Sequence, residues 1–311
     1  MTKKQLINNF TPPAIIDLAK YILCKKQKIH VKRYFKNGCV PWSRDYNAYQ
    51  ADFIAKSLAD KTLLRTFRCG EPLPPNYGFS LDERCIEYPW FFANLSYDDK
   101  NILDAGSTLN YGYIINQPIL RNSNLHIMTL VPEGHDFCQN GISYIYNDLR
   151  DIPIKDDYYD AIACISVLEH IGLDNTIFAN NEAYNENNPE DYVLAMRELR
   201  RILKPGGSLF LTVPYGTYQH YGMFQQFDRK LLSNSEEAFG KTINIVESFY
   251  RYIKQGWQVS NSQDCANCKY VEWIALHWQH NHDKPFQNPI PLEPDSAAAA
   301  HCVACVQLIK D

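Results

Sequence analysis

The sequence predicts an α/β protein built on a mostly parallel sheet and preceded by helices. Three observations carry that class. From Asn101 onward, short apolar runs alternate with helical stretches, the pattern of βαβ units. Before Asn101 the periodic segments have helical spacing only. Finally, 311 residues with 45% hydrophobic and 21% charged side chains supply a sizeable core, which excludes disorder, collagen and coiled coil.

Thr11-Pro12-Pro13 opens the first expected helix, with Thr11 as N-cap and Pro12 where a missing N–H costs little. Ile15, Leu18, Ala19, Ile22 and Leu23 then form one apolar stripe. Residues 1–36 hold nine basic side chains and one acid, a charge of +8. The whole chain, with 31 Lys+Arg against 35 Asp+Glu, sums to −4, so the remainder carries −12. Two readings of this segment stand: peripheral contact with an anionic membrane surface, or a helix packed on the main domain. The overall charge argues against a nucleic-acid partner.

Two more helices are expected, over 45–59 and 82–95, separated by the Pro/Gly-rich break at 70–78. Strand candidates are Ile102–Asp104, Leu125–Val131, Ser143–Tyr146, Ala161–Ser166 and Ser208–Val213, with a last strand over 300–310. A helix over 191–204 is expected to be closed by Pro205-Gly206-Gly207. The polar segment 180–188 reads either as a solvated insertion or as a flap over a site.

Ten cysteines suit a chain of this size as reduced thiols in cytosol, and Asp17 and Lys20 interrupt any signal-peptide apolar run. No apolar run approaches the roughly 20 residues that cross a bilayer. Cys265-x-x-Cys268 and Cys302-x-x-Cys305 have the inventory of a structural zinc site. In a strand, however, residues three apart face opposite sides. Free core thiols and no metal are therefore expected.

The segment with most chemistry begins at Ile102-Leu103-Asp104-Ala105-Gly106-Ser107, a carboxylate and a glycine where a buried strand turns toward a helix. Asn147-Asp148-Leu149-Arg150 follows the third strand, and Ile165-Ser166-Val167-Leu168-Glu169-His170 is the exit of the fourth. Glu198 to Gly207 leads into the fifth. In that order these segments resemble the class I S-adenosylmethionine-dependent methyltransferases, closest to those with small-molecule acceptors. The resemblance covers about residues 100–215 well and the C-terminal third loosely. A nicotinamide Rossmann site would instead want G-x-G-x-x-G after the first strand, which this chain lacks.

The resemblance implies a seven-stranded doubly wound, Rossmann-like domain over 98–311, with 1–97 as helical extension and lid. It implies S-adenosylmethionine held by Asp104, Ala105, Gly106 and Ser107 at the first turn. Asp148 and Leu149 would meet adenine, and Ser166 and Val167 would line the fourth strand's exit. Tyr88 is expected near the cofactor from the lid helix. The chain departs from the family where further glycines are usual, at Thr108 and Asn110, and where an acid usually grips the ribose, at Thr129; the Thr129 hydroxyl or the nearby Glu133 is the expected substitute.

Methyl transfer needs alignment, water exclusion and, for a hydroxyl or protonated amine, a base. His170, His220 and Asp228 are the candidates, each with a structural alternative: strand-exit packing for His170, a surface connection for His220 and an N-cap for Asp228. The aromatic and polar loop 215–229 suits a polyhydroxylated acceptor. The lead-in and Phe227-Asp228-Arg229 look like methyltransferases encoded among bacterial surface-polysaccharide enzymes, which implies O-methylation of a small molecule or glycan. A non-catalytic scaffold of the same fold is the rival reading.

Overall fold

The protein is described here by a computed structural model covering residues 27–134, 136–281 and 297–311. The expected helix that opens at Thr11 lies outside them. Eight strands form one sheet: β1 Asn101–Ala105, β2 Asn124–Thr129, β3 Ser143–Tyr146, β4 Tyr159–Ile165, β5 Leu203–Pro214, β6 Thr242–Ile253, β7 Gly256–Ser260 and β8 Cys302–Lys310. Their order is β3-β2-β1-β4-β5-β8-β6-β7. The first five are parallel, and β8 inserts antiparallel between β5 and β6. This is the doubly wound, Rossmann-like sheet expected, with one strand more than seven because β6 continues into the β7 hairpin.

Strand alternation divides the core in two. Ile102, Ala161, Phe210 and Cys305 face the lead-in helices α1 Tyr46–Ala59, α2 Lys61–Cys69 and α3 Arg84–Asn94. Leu103, Ile162, Leu209 and Cys302 face α4 Tyr192–Ile202 and α5 Arg229–Phe239. The helices before β1 thus share a core with the sheet. The basic segment is also less of an appendage than its composition suggested. Residues 27–36 are helical, Tyr34 is fully buried against Tyr49 at 5.2 Å, and Arg33 pairs with Asp45.

Pro89 sits inside α3, where it cannot bond the carbonyl of Cys85. The Tyr77 hydroxyl donates to that carbonyl at 2.7 Å instead. Helix α4 ends at Ile202, earlier than Pro205-Gly206-Gly207 suggested, because Leu203 is already extended and opens β5. Those three residues lie in a stretch where the β4–β5 register shifts.

Cys302 and Cys305 point into opposite cores, so the four Cys-x-x-Cys thiols do not converge. Cys265, Cys268 and Cys302 hydrogen-bond among themselves, which holds the Cys265 thiol well below its ordinary range. Among the described residues, no group of three or more His, Cys, Asp or Glu is arranged to hold a metal ion.

Candidate active site

Sheet order reverses between β1 and β4, so their carboxyl ends diverge and leave a crevice. The turn leaving β1 is held from beneath. Asp104, fully buried, accepts hydrogen bonds from the backbone N–H of Thr108 (3.1 Å) and Leu109 (2.8 Å) and from the Thr108 hydroxyl. Burial pushes its carboxyl up to about 7. Asp104 and Ala105 are the turn's foundation, while Gly106, Ser107 and Thr108 line the crevice. Gly106 has φ +118°, and a β-carbon there would lie 2.2 Å from Val167 Cγ2. Ser107 also has positive φ, and its buried Oγ has no hydrogen-bond partner. Across the turn, the Tyr88 hydroxyl donates to the Thr108 carbonyl at 2.5 Å.

The β4 exit is tied to α3 by one carboxylate. Glu87, fully buried, accepts from the hydroxyls of Ser166 (2.5 Å) and Thr212 (2.6 Å) through Oε1, and from Arg84 (2.7 Å) through Oε2. Ser166 is thereby fixed in a positive-φ conformation beside Val167. Three residues beyond Val167, His170 Nδ1 lies 2.8 Å from the Met223 carbonyl. A carbonyl can only accept, so Nδ1 carries the proton and Nε2 is the basic nitrogen. Burial lowers the His170 pKa to about 4, leaving a neutral imidazole at pH 7.

At the β2 exit, Thr129 lines the crevice beside Glu133, whose carboxylate accepts from Asn110 Nδ2 at 2.8 Å. The Tyr144 hydroxyl in turn donates to Asn110 Oδ1. Asn110, a departure from the glycine pattern, thus positions Glu133. After β3, Asp148 and Leu149 both line the crevice, but Asp148 is bound by Arg150 through both oxygens. Arg150 also pairs with Glu186 and Asp191, which ties down the polar segment after residue 180. Tyr184 and Glu186 of that segment reach the same crevice.

Together these exits enclose a cavity of about 990 Å³. That is the upper end of the ~300–1,000 Å³ usual for small-molecule sites. His170 lines it; His220 and Asp228 do not. His220 is exposed in a short hairpin, where its Nδ1 accepts from Gly222 N–H. The Asp228 carboxylate accepts from Leu231 N–H at 2.9 Å as the N-cap of α5. Neither is placed as a base.

Sequence reasoning overlooked the wall beyond His170: Trp42, Asp82, Glu83, Glu169, Tyr270 and Trp273. Glu169 adjoins the His170 singled out above, and Asp82-Glu83 open the lid helix; those were the available signals. Trp42 and Trp273 lie 231 positions apart in the chain yet pack with ring centroids at 4.9 Å. Nothing in a single sequence pairs them.

Residues 130–211 match the family described as a methyltransferase domain. Comparison with curated proteins gives no match. Several solved structures are similar. One is the Burkholderia thailandensis 1,6-didemethyltoxoflavin-N1-methyltransferase with bound 1,6-didemethyltoxoflavin and S-adenosylhomocysteine (12% identity, 68% of this chain and 71% of that one, TM-score 0.38). Another is a SAM-dependent methyltransferase from Archaeoglobus fulgidus (11% identity, 80% and 100%, TM-score 0.43). A third is the 4+2 cyclase SpnF (16% identity, 80% and 92%, TM-score 0.42). None of these resemblances bears on the acceptor. The family match spans β3, β4 and most of β5, so this stretch is similar to a methyltransferase domain, and the sheet order with its antiparallel insertion is a doubly wound α/β fold.

Proposed function

We propose that the protein transfers a methyl group from S-adenosylmethionine to a small-molecule acceptor bound in the same cavity. The observation that carries this is the meeting, in one cavity, of the Gly106-Ser107 turn and a neutral His170. The residues present fit the cofactor. Gly106 and Thr108 line the crevice, the orphaned Ser107 Oγ offers a hydrogen bond, and Leu149 and Val167 supply an apolar wall. Glu133 would accept from the ribose hydroxyls in place of the usual acid, with Thr129 beside it. Asp148, shared with Arg150, would meet adenine only through what its ion pair leaves free. When bound, the cofactor supplies an electrophilic methyl.

This chain's own contribution is alignment, exclusion of water and a proton acceptor. His170 Nε2 would take the proton from the acceptor as the new bond forms, with the Met223 carbonyl holding the ring in that tautomer. By the sequence resemblance, oxygen of a small molecule or glycan is the methylated atom. The expected setting is cytoplasmic. Peripheral contact with an anionic membrane through residues 1–36 is part of this reading, and no helix among the described residues is long and apolar enough to cross a bilayer.

Calorimetry with S-adenosylmethionine and S-adenosylhomocysteine tests the proposal. Binding of both is expected. No binding of either at millimolar concentration would favour the scaffold reading.

A further inference from the structure

Beyond His170, the cavity wall is acidic and aromatic. Asp82, Glu83 and Glu169 line it, and the cation among them, Arg84, is engaged by Glu87 at 2.7 Å. Most of these acids have donors. Gln50 Nε2 donates to both Asp82 oxygens at 2.7 Å, and Ala300 N–H donates to Glu83 Oε2 at 3.2 Å. Glu169 differs: it is 3% exposed, and its Oε2 has no hydrogen-bond partner. The same cavity is lined by aromatic faces, with Phe224 and Tyr270 centroids 4.7 Å apart and Trp42 and Trp273 at 4.9 Å.

We infer that the acceptor carries a protonated amine, which docks on Glu169 and Glu83 within this aromatic wall; the inference rests on the methyl-transfer reading of the cavity. A buried carboxyl oxygen without a donor calls for one from a ligand. A neutral hydroxyl would supply a hydrogen bond but draw no charge attraction from Asp82, Glu83 and Glu169. An ammonium supplies both hydrogen bonds and charge, and aromatic faces attract it further. An amino sugar satisfies this inference together with the glycan expectation.

In support, burial and the neighbouring Asp82 and Glu87 push the Glu83 carboxyl up to about 8, and burial raises Glu169 as well. Arg84, His170 and Tyr270 are the other titratable groups facing them. An arriving cation would ionise these acids, so amine binding should release protons.

The test uses the full chain loaded with S-adenosylhomocysteine and two probes that differ in one group, phenethylamine and 2-phenylethanol, compared by calorimetry. The amine is expected to bind about tenfold tighter or better. Glu169→Gln should remove most of that advantage while leaving S-adenosylhomocysteine affinity and melting temperature near wild type. Should that variant not fold, Glu83→Gln takes its place. Equal affinities, a tighter alcohol, no amine binding, or an advantage unchanged in the folded variant would overturn the inference. Failure to load S-adenosylhomocysteine at all would overturn the methyl-transfer reading, and this inference with it, before either probe is added.

Discussion

Gly106 passes so close to Val167 that any β-carbon on it would sit 2.2 Å from Val167 Cγ2. The turn after β1 and the exit of β4 are therefore one packed unit. Gly106→Ala meets both this crowding and the strain of φ +118°, and should cost about 2 kcal/mol in stability. It should also weaken S-adenosylhomocysteine binding at least tenfold. Gly141→Ala is the control: φ is +81° there, but nothing lies within 4 Å of an added β-carbon. It should cost about 1 kcal/mol and leave cofactor affinity alone. Urea unfolding and calorimetry on both variants measure this.

Glu87 joins α3 to the β4 and β5 exits through Arg84, Ser166 and Thr212. Glu87→Ala would leave the guanidinium and two hydroxyls without their acceptor. Breaking a buried pair from one side costs about 3–5 kcal/mol. The lower end applies, because the Arg84 side chain keeps 28% exposure. Thr212→Val removes one hydroxyl and should cost about 1 kcal/mol. Equal losses in the two variants would show that Glu87 is not the hub.

His170 should set an unusual acid limb. Its pKa is lowered to about 4 by burial, so Nε2 stays unprotonated well below the ordinary histidine range. Acceptor methylation should fall only as pH approaches about 4, provided the fold persists. The stability sign is opposite to that of a paired histidine. Between about 4 and 6.5 the unfolded chain binds a proton at His170 and the folded chain does not, so this residue's contribution declines as pH falls through that window. His170→Ala should reduce turnover about 10²–10³-fold with cofactor affinity unchanged. Lost cofactor affinity would mark it as structural.

The turn after β1 was legible because its hydrogen bonds are local: Asp104 accepts from Thr108 and Leu109, within five residues, where spacing is visible. The place of His170 was legible for the same reason, at the exit of an apolar strand. His220 and Asp228 misled because their residue types suit a base, whereas their roles are set by a hairpin and an N-cap. The acidic and aromatic wall was illegible because it is assembled from residues 42, 82–83, 169 and 270–273, brought together only by tertiary folding. Strand β6 escaped notice because much of its length is exposed and lacks a buried apolar face.

Glu83 offers a stability test without ligand. Its carboxyl is raised to about 8, chiefly by burial, so the folded chain holds a proton that the unfolded chain releases from about pH 4.5 upward. Its contribution is present at low pH and lost as pH rises toward 8. Glu83→Gln, permanently neutral, should therefore match wild type near pH 4. At pH 8 it should exceed wild type by on the order of 2 kcal/mol. Guanidinium unfolding at the two pH values reads the difference, and a variant less stable at both would refute the assignment.

The basic N-terminal segment separates into two parts with different expected losses. Residues 27–36 belong to the fold, since Tyr34 is fully buried and Arg33 and His30 both pair with Asp45. Residues 1–26 carry Lys3, Lys4, Lys20, Lys25 and Lys26 against Asp17, a charge of +4. If this segment meets anionic lipid, each lysine near the surface contributes about 1 kcal/mol. Removing residues 1–26 should lower co-sedimentation with phosphatidylserine vesicles at least tenfold while leaving cofactor affinity unchanged. Removing residues 1–36 should in addition cost about 3–5 kcal/mol, the scale of losing a large buried aromatic. Unchanged vesicle binding after the shorter truncation would leave packing, not lipid, as the role of the charge.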